Sequence, residues 1–415
     1  MLAALGLLVL VPGVGGASCK LLLDCGTGGG DPKVLQPGLV LESVASGFRG
    51  PSAFAFLPDG RILVAQVNGL VRVVRSGKVL GRPFLDLRGR INTENTRGLV
   101  GLEPDPEFAR NGHVYVMYAY EDGSEPARGE KPVRVARVTA HGNRASLASE
   151  VVILGRAGRG SCQSLPVDAD CIPANGTHMG GALDFAPDGT LFVGTGDGEL
   201  GKQEKYEAGA HQAQNLDALT GKILRVTRSG KGLPTNPFWT GDADDNRSKV
   251  WAYGLRNPFR VSVRPGSLLP YVGDVGWNER EEIDVANRGV NLGWPCYEGS
   301  DRPLHYRDTP ACLSLYEDAS DRPVQGPLLE VVHDDGTSIT GGEFRGRDEY
   351  VYGDYGRWWL RTLRLDANGH VVSGTDTQLT KGTSTPVQIR IGPQGDIYFL
   401  SIFDGTLYRL RSARQ

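Results

Sequence analysis

The chain has 415 residues, a formal net charge of −3 and a sequence pI of about 6.2. That balance excludes the basic surface that nucleic acid requires, and no Lys/Arg run marks an anionic membrane. Apolar residues make up 40%, with 58 glycines and 25 prolines, enough for a full core and many tight turns in a length that all-β propellers and barrels fill as one unit.

The first predicted element is a leader. Leu2 to Val11 is an apolar run of ten residues, too short to span a bilayer as a helix and of the length of a signal-peptide core, although a basic segment before it is missing. Gly16-Ala17-Ser18 ahead of Cys19 suits a lipoprotein cleavage site with Cys19 lipidated. Residues 1–36 therefore read as leader and flexible linker, and residues 37–415 as the folded domain. The expectation is an exported protein, periplasmic, extracellular or lipid-anchored at the cell envelope, with membrane contact only through the N-terminal anchor.

A strand–turn–strand unit opens the domain. In "FAFLPDGRILVAQ" (54–66) an apolar strand reaches Pro58-Asp59-Gly60, reverses and leaves as a second strand. Proline presets φ and Asp-Gly supplies the reversal. The unit recurs at 101–118, 183–195, 261–274, 338–355 and 389–401, each copy followed by a long variable loop, and helical periodicity is almost absent. This repetition predicts an all-β, single-domain, six-bladed β-propeller, with 404–410 closing against the first strands to remove free edges. A β-sandwich or a pair of barrels is the competing architecture; the recurrence of one turn at spacings too long for a hairpin meander weighs against it.

Six cysteines fall in three sequence-local pairs and permit fifteen connectivities. Local pairing, Cys162 with Cys171 and Cys296 with Cys312, is the simplest choice in an oxidising compartment; buried free thiols are the alternative. No C-x-x-C occurs and no two histidines have zincin spacing, which argues against zinc.

The stretches "THMGGALDFAPDGTLFVGTGDG", "VWAYGLRNPFRVSV", "GDVGWNEREEIDVANRGVNLGWPCYEG" and "HDDGTSITGGEFRG" occur in that order. Over roughly residues 40 to 410 the chain resembles the soluble glucose/sorbosone dehydrogenases, six-bladed propellers that use pyrroloquinoline quinone (PQQ) and calcium. The resemblance implies oxidation of an aldose to a lactone at the central face, with electrons passed to an external acceptor. Such a reaction needs a base within hydrogen-bond reach of the sugar hydroxyl and fixed donors on the quinone oxygens. His178 matches the family's base, and an imidazole titrates near working pH. Arg256 and Asn257 match the pair that touches the quinone. The backbone carbonyls of Gly276 and Trp277 match the calcium site, as a hard cation prefers oxygen, with Asp274, Glu281 and Glu282 near it in sequence. The competing role for Arg256 is a structural arginine that bonds carbonyls at the propeller centre.

The chain departs from the family pattern at several ligand positions. Thr96 stands where a Gln or Glu is expected, and Thr177 where an aspartate orients the base. Gly356, Thr385 and Val387 stand where cations bind the cofactor carboxylates; Arg357 and Arg390 are the candidates to replace them from shifted positions. The segments "SCQSLPVDADC", "GWPCYEG" and "GDYGRWWL" resemble the disulfide-bearing branch that includes hedgehog-interacting-protein-like propellers. Two readings follow: a PQQ- and Ca2+-dependent aldose dehydrogenase, or a secreted or lipid-anchored propeller that binds a protein or glycan and has partly lost its cofactor site. The sequence does not specify the sugar, the electron acceptor or the oligomeric state.

Overall fold

The structure is a computed structural model that describes residues 32–123, 126, 128–157, 161–200, 205–317, 324–333 and 337–413. The leader and Cys19 lie outside the described residues. Among those described, no helix is long and apolar enough to cross a membrane.

The strands form six antiparallel sheets of four or five strands, which are the blades of a β-propeller. The innermost strands, in chain order, are Pro51–Phe56, Leu99–Pro104, Ala182–Phe185, Pro258–Val263, Ile339–Arg345 and Pro386–Ile391. Each pairs with the next strand of its blade across the turn that the sequence repeats marked, as Phe56 with Ile62 and Ile391 with Ile397. The ring closes as expected: Leu39–Ala45 pairs with Thr406–Ser412, so the N-terminal strand becomes the outer edge of the last blade. One boundary differs. Lys33–Val34, assigned to the linker, already pairs with Lys381 and Thr380 on the outer edge of the fifth blade.

Apolar side chains from facing sheets fill the wedges between neighbouring blades. Leu63 and Val73 of the first blade meet Val114 and Val116 of the second, and Phe54 and Val64 meet Leu400 and Leu407 of the sixth. These side chains are buried, and each fully buried aliphatic or aromatic group contributes about 1.5–3 kcal/mol. Two disulfides staple long loops: Cys162–Cys171 and Cys296–Cys312, the expected local pairs.

At the axis stands Arg260. Its Nε donates to Val387 O at 3.0 Å, Nη2 to Ser52 O at 2.6 Å, and Nη1 to the carbonyls of Val100, Gly181 and Phe259 at 3.2, 3.2 and 2.9 Å. Those five carbonyls belong to five of the blades, each at or beside the first residues of an inner strand. One planar donor fork therefore closes the central channel. This is the role considered for Arg256; it belongs to the arginine four residues later.

Candidate functional site

Above Arg260, at the face where the inner strands begin, lies a cavity of about 290 Å³. His178, Thr96, Thr177, Asn257, Ser338 and Tyr355 line it, with Val67, Val100, Phe259, Val387 and Ile402 as its apolar walls. Backbone strain collects at this face. Asn95, His178, Trp358, Ser384 and Thr385 have φ between 47° and 62°, and all lie in its loops. Such left-handed non-glycine residues persist where the surroundings over-determine them, which is common at ligand sites.

His178 enters from the Thr-His-Met-Gly-Gly loop with φ 47°. The loop packs so closely on the neighbouring strand that a Cβ at Gly180 would lie 2.3 Å from Gly194 O, and one at Gly196 would lie 1.9 Å from His178 O. Glycine alone fits both places. The imidazole Nδ1 lies 2.8 Å from Oδ1 of Asp197, and the two side chains are 10% and 1% exposed. A carboxylate accepts, so Nδ1 carries the proton and Nε2 keeps its lone pair. The other carboxylate oxygen of Asp197 accepts from Trp294 Nε1 at 2.9 Å, which fixes its plane. Burial, and then the charge of Arg256, hold the His178 pKa below its ordinary 6.5 against the pull of Asp197.

Asp274 organises the Arg256–Asn257 turn: its carboxylate accepts both backbone N–H groups, at 2.9 and 2.6 Å. The Asn257 side-chain oxygen accepts from Gly180 N–H at 3.2 Å, which turns the amide donors to the cavity wall. Burial pushes the Asp274 carboxyl up to about 7, against those two backbone hydrogen bonds.

Beside this turn is a buried acidic group. Glu298 Oε1 accepts from four consecutive backbone N–H groups, Trp277 to Arg280, at 2.6 to 3.2 Å, while its Oε2 has no partner. Both oxygens of Asp284, 1% exposed, are also without a partner. Glu282 accepts from Gly299 N–H. Burial raises Glu282 and Asp284 well above the ordinary carboxylate range, reinforced at Glu282 by Asp284 and at Asp284 by Asp274.

Residues 48–409 match the Glucose / Sorbosone dehydrogenase family. The chain belongs to that family. Aldose sugar dehydrogenase YliI of Escherichia coli (strain K12) is 25% identical over 372 residues, 85% of this chain and 86% of the relative. HIPL2 protein of Arabidopsis thaliana is 28% identical over 326 residues, 66% of this chain and 44% of that relative. Among solved structures, an oxidoreductase (glucose dehydrogenase) from Thermus thermophilus superposes with a TM-score of 0.69 at 27% identity, over 90% of this chain and 100% of that one. Fold and family thus support a propeller of the sugar dehydrogenase type.

The family residues expected from sequence are only partly brought together. His178 and Asn257 line the cavity. Arg256 does not; its Nη1 donates to Val275 O at 2.9 Å and to Gly276 O, and its guanidinium lies 5.4 Å from the Trp294 ring. The Gly276 carbonyl is thus occupied by Arg256, while Trp277 packs its indole on Trp294 and Tyr306. Arg357 is exposed on the same face and donates to His333 O at 2.8 Å. Arg390 is elsewhere: it lies near the far end of its strand, beyond Arg260, paired with Glu103 and 3.6 Å from Glu343. Sequence reasoning missed Asp197. The orienting carboxylate was sought at position 177, but Thr177 Oγ1 donates to Glu199 O at 2.7 Å, and Asp197 reaches the ring from the end of the paired strand. The Asp in "GTGDG" was the available sign.

Proposed function

We propose that the chain binds an aldose in this cavity and that His178 takes the proton of its anomeric hydroxyl, the base step of a sugar dehydrogenase, while the hydride on the same carbon passes to a soluble two-electron acceptor that enters from outside. The single observation that carries this reading is the His178–Asp197 pair at 2.8 Å on the wall of the cavity. The lowered His178 pKa keeps the ring neutral and able to accept a proton at neutral pH. Asp197 holds the tautomer and would stabilise the imidazolium as it forms. Asn257 Nδ2 and the hydroxyls of Ser338 and Tyr355 would orient the sugar.

The residues that would hold a calcium ion are Asp284 and Glu298, which offer buried oxygens without a partner, with Glu282, and all-oxygen ligation is what this ion takes. Their oxygens are not gathered within 4.8 Å of one another, so the ion would have to draw them together. The Gly276 and Trp277 carbonyls are the weaker candidates, since Arg256 already donates to Gly276 O. PQQ does not fit. It carries three carboxylates, and the one side chain with a fixed positive charge among the described lining residues is Arg260, whose donors are committed to carbonyls. The same observation favours a second reading, a propeller that binds a glycan or protein without turnover. The two disulfides fit an oxidising compartment and support export.

The experiment is dye reduction by the purified protein over a panel of aldoses, with and without added PQQ and Ca2+. Turnover that His178→Ala abolishes supports the enzyme. No turnover with any sugar, in a protein that still binds sugar by calorimetry, supports the binding module instead.

A further inference from the structure

We infer that the cavity above Arg260 is selective for an uncharged polyol and rejects polycarboxylate ligands, the quinone tricarboxylate of its family and sugar acids alike. This rests on the reading of the cavity as a sugar site and narrows it to neutral sugars.

The groups that face the cavity without a protein partner are all neutral: His178 Nε2, the amide donors of Asn257, and the hydroxyls of Ser338 and Tyr355. They supply both donors and acceptors, which is what hydroxyls of either sense require. Between them Val100, Phe259 and Val387 present apolar surface for the C–H face of a ring. A few placed polar groups on an apolar lining is the usual construction of a small-molecule site.

Behind the lining stand acids rather than free cations. Asp197 lies behind His178, Asp274 behind Asn257 and Asp354 behind Ser338, at 3%, 6% and 0% exposure. Asp354 caps its loop by accepting from the backbone N–H groups of Thr337, Ser338, Gly356 and Arg357. Against these, Arg260, the one cation among the described lining residues, gives its donors to five carbonyls, and Arg256, outside the lining, gives Nη1 to the carbonyls of Val275 and Gly276 and keeps a buried Nε without a partner. An anion entering would lose its hydration and find no free cation among the described lining residues, the costly case for a buried charge. A sugar hydroxyl loses far less.

The test uses the full protein with Ca2+ present and absent. PQQ is titrated by absorbance, and D-glucose, D-galactose and D-glucuronate by calorimetry. Expected are no saturable PQQ binding up to about 100 μM, in the range where a specific cofactor binds tightly, and a neutral aldose bound at least ~10-fold more tightly than the uronate. Val387→Arg, alone and with Thr96→Arg, places a free cation on the wall; each variant, once its circular dichroism and melting match wild type, should gain PQQ affinity by at least ~10-fold. Stoichiometric binding of PQQ by wild type at micromolar concentration overturns the inference and leaves the sugar dehydrogenase reading standing. Equal binding of glucose and glucuronate overturns it too. Failure of all three sugars and of PQQ to bind overturns the reading of the cavity as a sugar site.

Discussion

Nδ1 of His178 lies 2.8 Å from Oδ1 of Asp197, two residues nineteen apart that a hairpin brings side by side. The pairing makes the imidazole a base of fixed orientation. Replacing Asp197 by Asn keeps the shape but offers an N–H2 or a weaker acceptor, so the reactive tautomer is no longer enforced. Asp197→Asn should lower sugar turnover by about 10²–10⁴-fold, in the range of a lost general base and its orienting group. The acid limb of the pH–rate profile should fall below pH 6.5, because the ring is held below that ordinary value. Steady-state kinetics from pH 5 to 8 check both; an acid limb centred above 6.5 would sink the assignment.

The second prediction concerns the axis. Arg260 donates to five carbonyls from five blades, and no water-filled route is needed to explain how those groups are satisfied. Arg260→Met leaves them facing one another without a donor. Each unpaired buried acceptor costs about 1–3 kcal/mol, not additively, so the variant should lose at least ~3 kcal/mol. Arg260→Lys keeps the charge and fewer donors, and should lose less. Urea midpoints rank the three proteins, and equal midpoints would show that the blades hold without the plug.

How far the sequence reached can be judged residue by residue. The six blades were legible because each is announced by a local event, a Pro-Asp-Gly turn or its variant between two apolar strands. The closing strand followed from the need to pair free edges. His178 was legible through its glycine setting. Asp197 was not, because its partner lies across a hairpin and only the register, Ala182 opposite Gly194, aligns them. Arg256 and Arg260 sit on one short motif, and composition does not say which of them turns to the axis. Arg390 was expected at the cavity, yet three residues beyond Val387 along an extended strand is about 10 Å, enough to carry it past the plug.

A cation prediction follows from Asp284, whose two carboxylate oxygens lack partners at 1% exposure. Ca2+ bound there stabilises the fold by mass action, about 2.7 kcal/mol at a hundredfold excess over Kd. Melting should therefore rise with CaCl2 and fall with EDTA. Asp284→Asn removes a buried acid that repels Glu282 and is itself repelled by Asp274, so its calcium-free melting point should match or exceed wild type while the calcium-induced rise shrinks. Melting scans of both proteins with EDTA and with Ca2+ measure the four values; an undiminished rise in Asp284→Asn would place the ion elsewhere.

The last prediction is set at the opposite end of the channel, where Glu103, Asp184 and Glu343 share Arg390. Burial, offset by Arg390 and reinforced by Glu343, pushes the Glu103 carboxyl up to about 7, and Asp184 moves the same way. An acid whose folded pKa is raised stabilises the fold at pH values below its unfolded pKa, and that stability is lost as pH rises through the folded value. His178 acts with the opposite sign, but its contribution is lost only as pH falls below 6.5. Between about pH 6.5 and 8.5 the acids therefore dominate, and the urea midpoint should fall, by no more than about 1.4 kcal/mol per pH unit for each group. Glu103→Gln removes one titrating acid from around Arg390, so its midpoint should fall less steeply over that window. A wild-type midpoint that stays level or rises from pH 6.5 to 8.5 would mean that Glu103 is already ionised and fully paired with Arg390 at the lower pH.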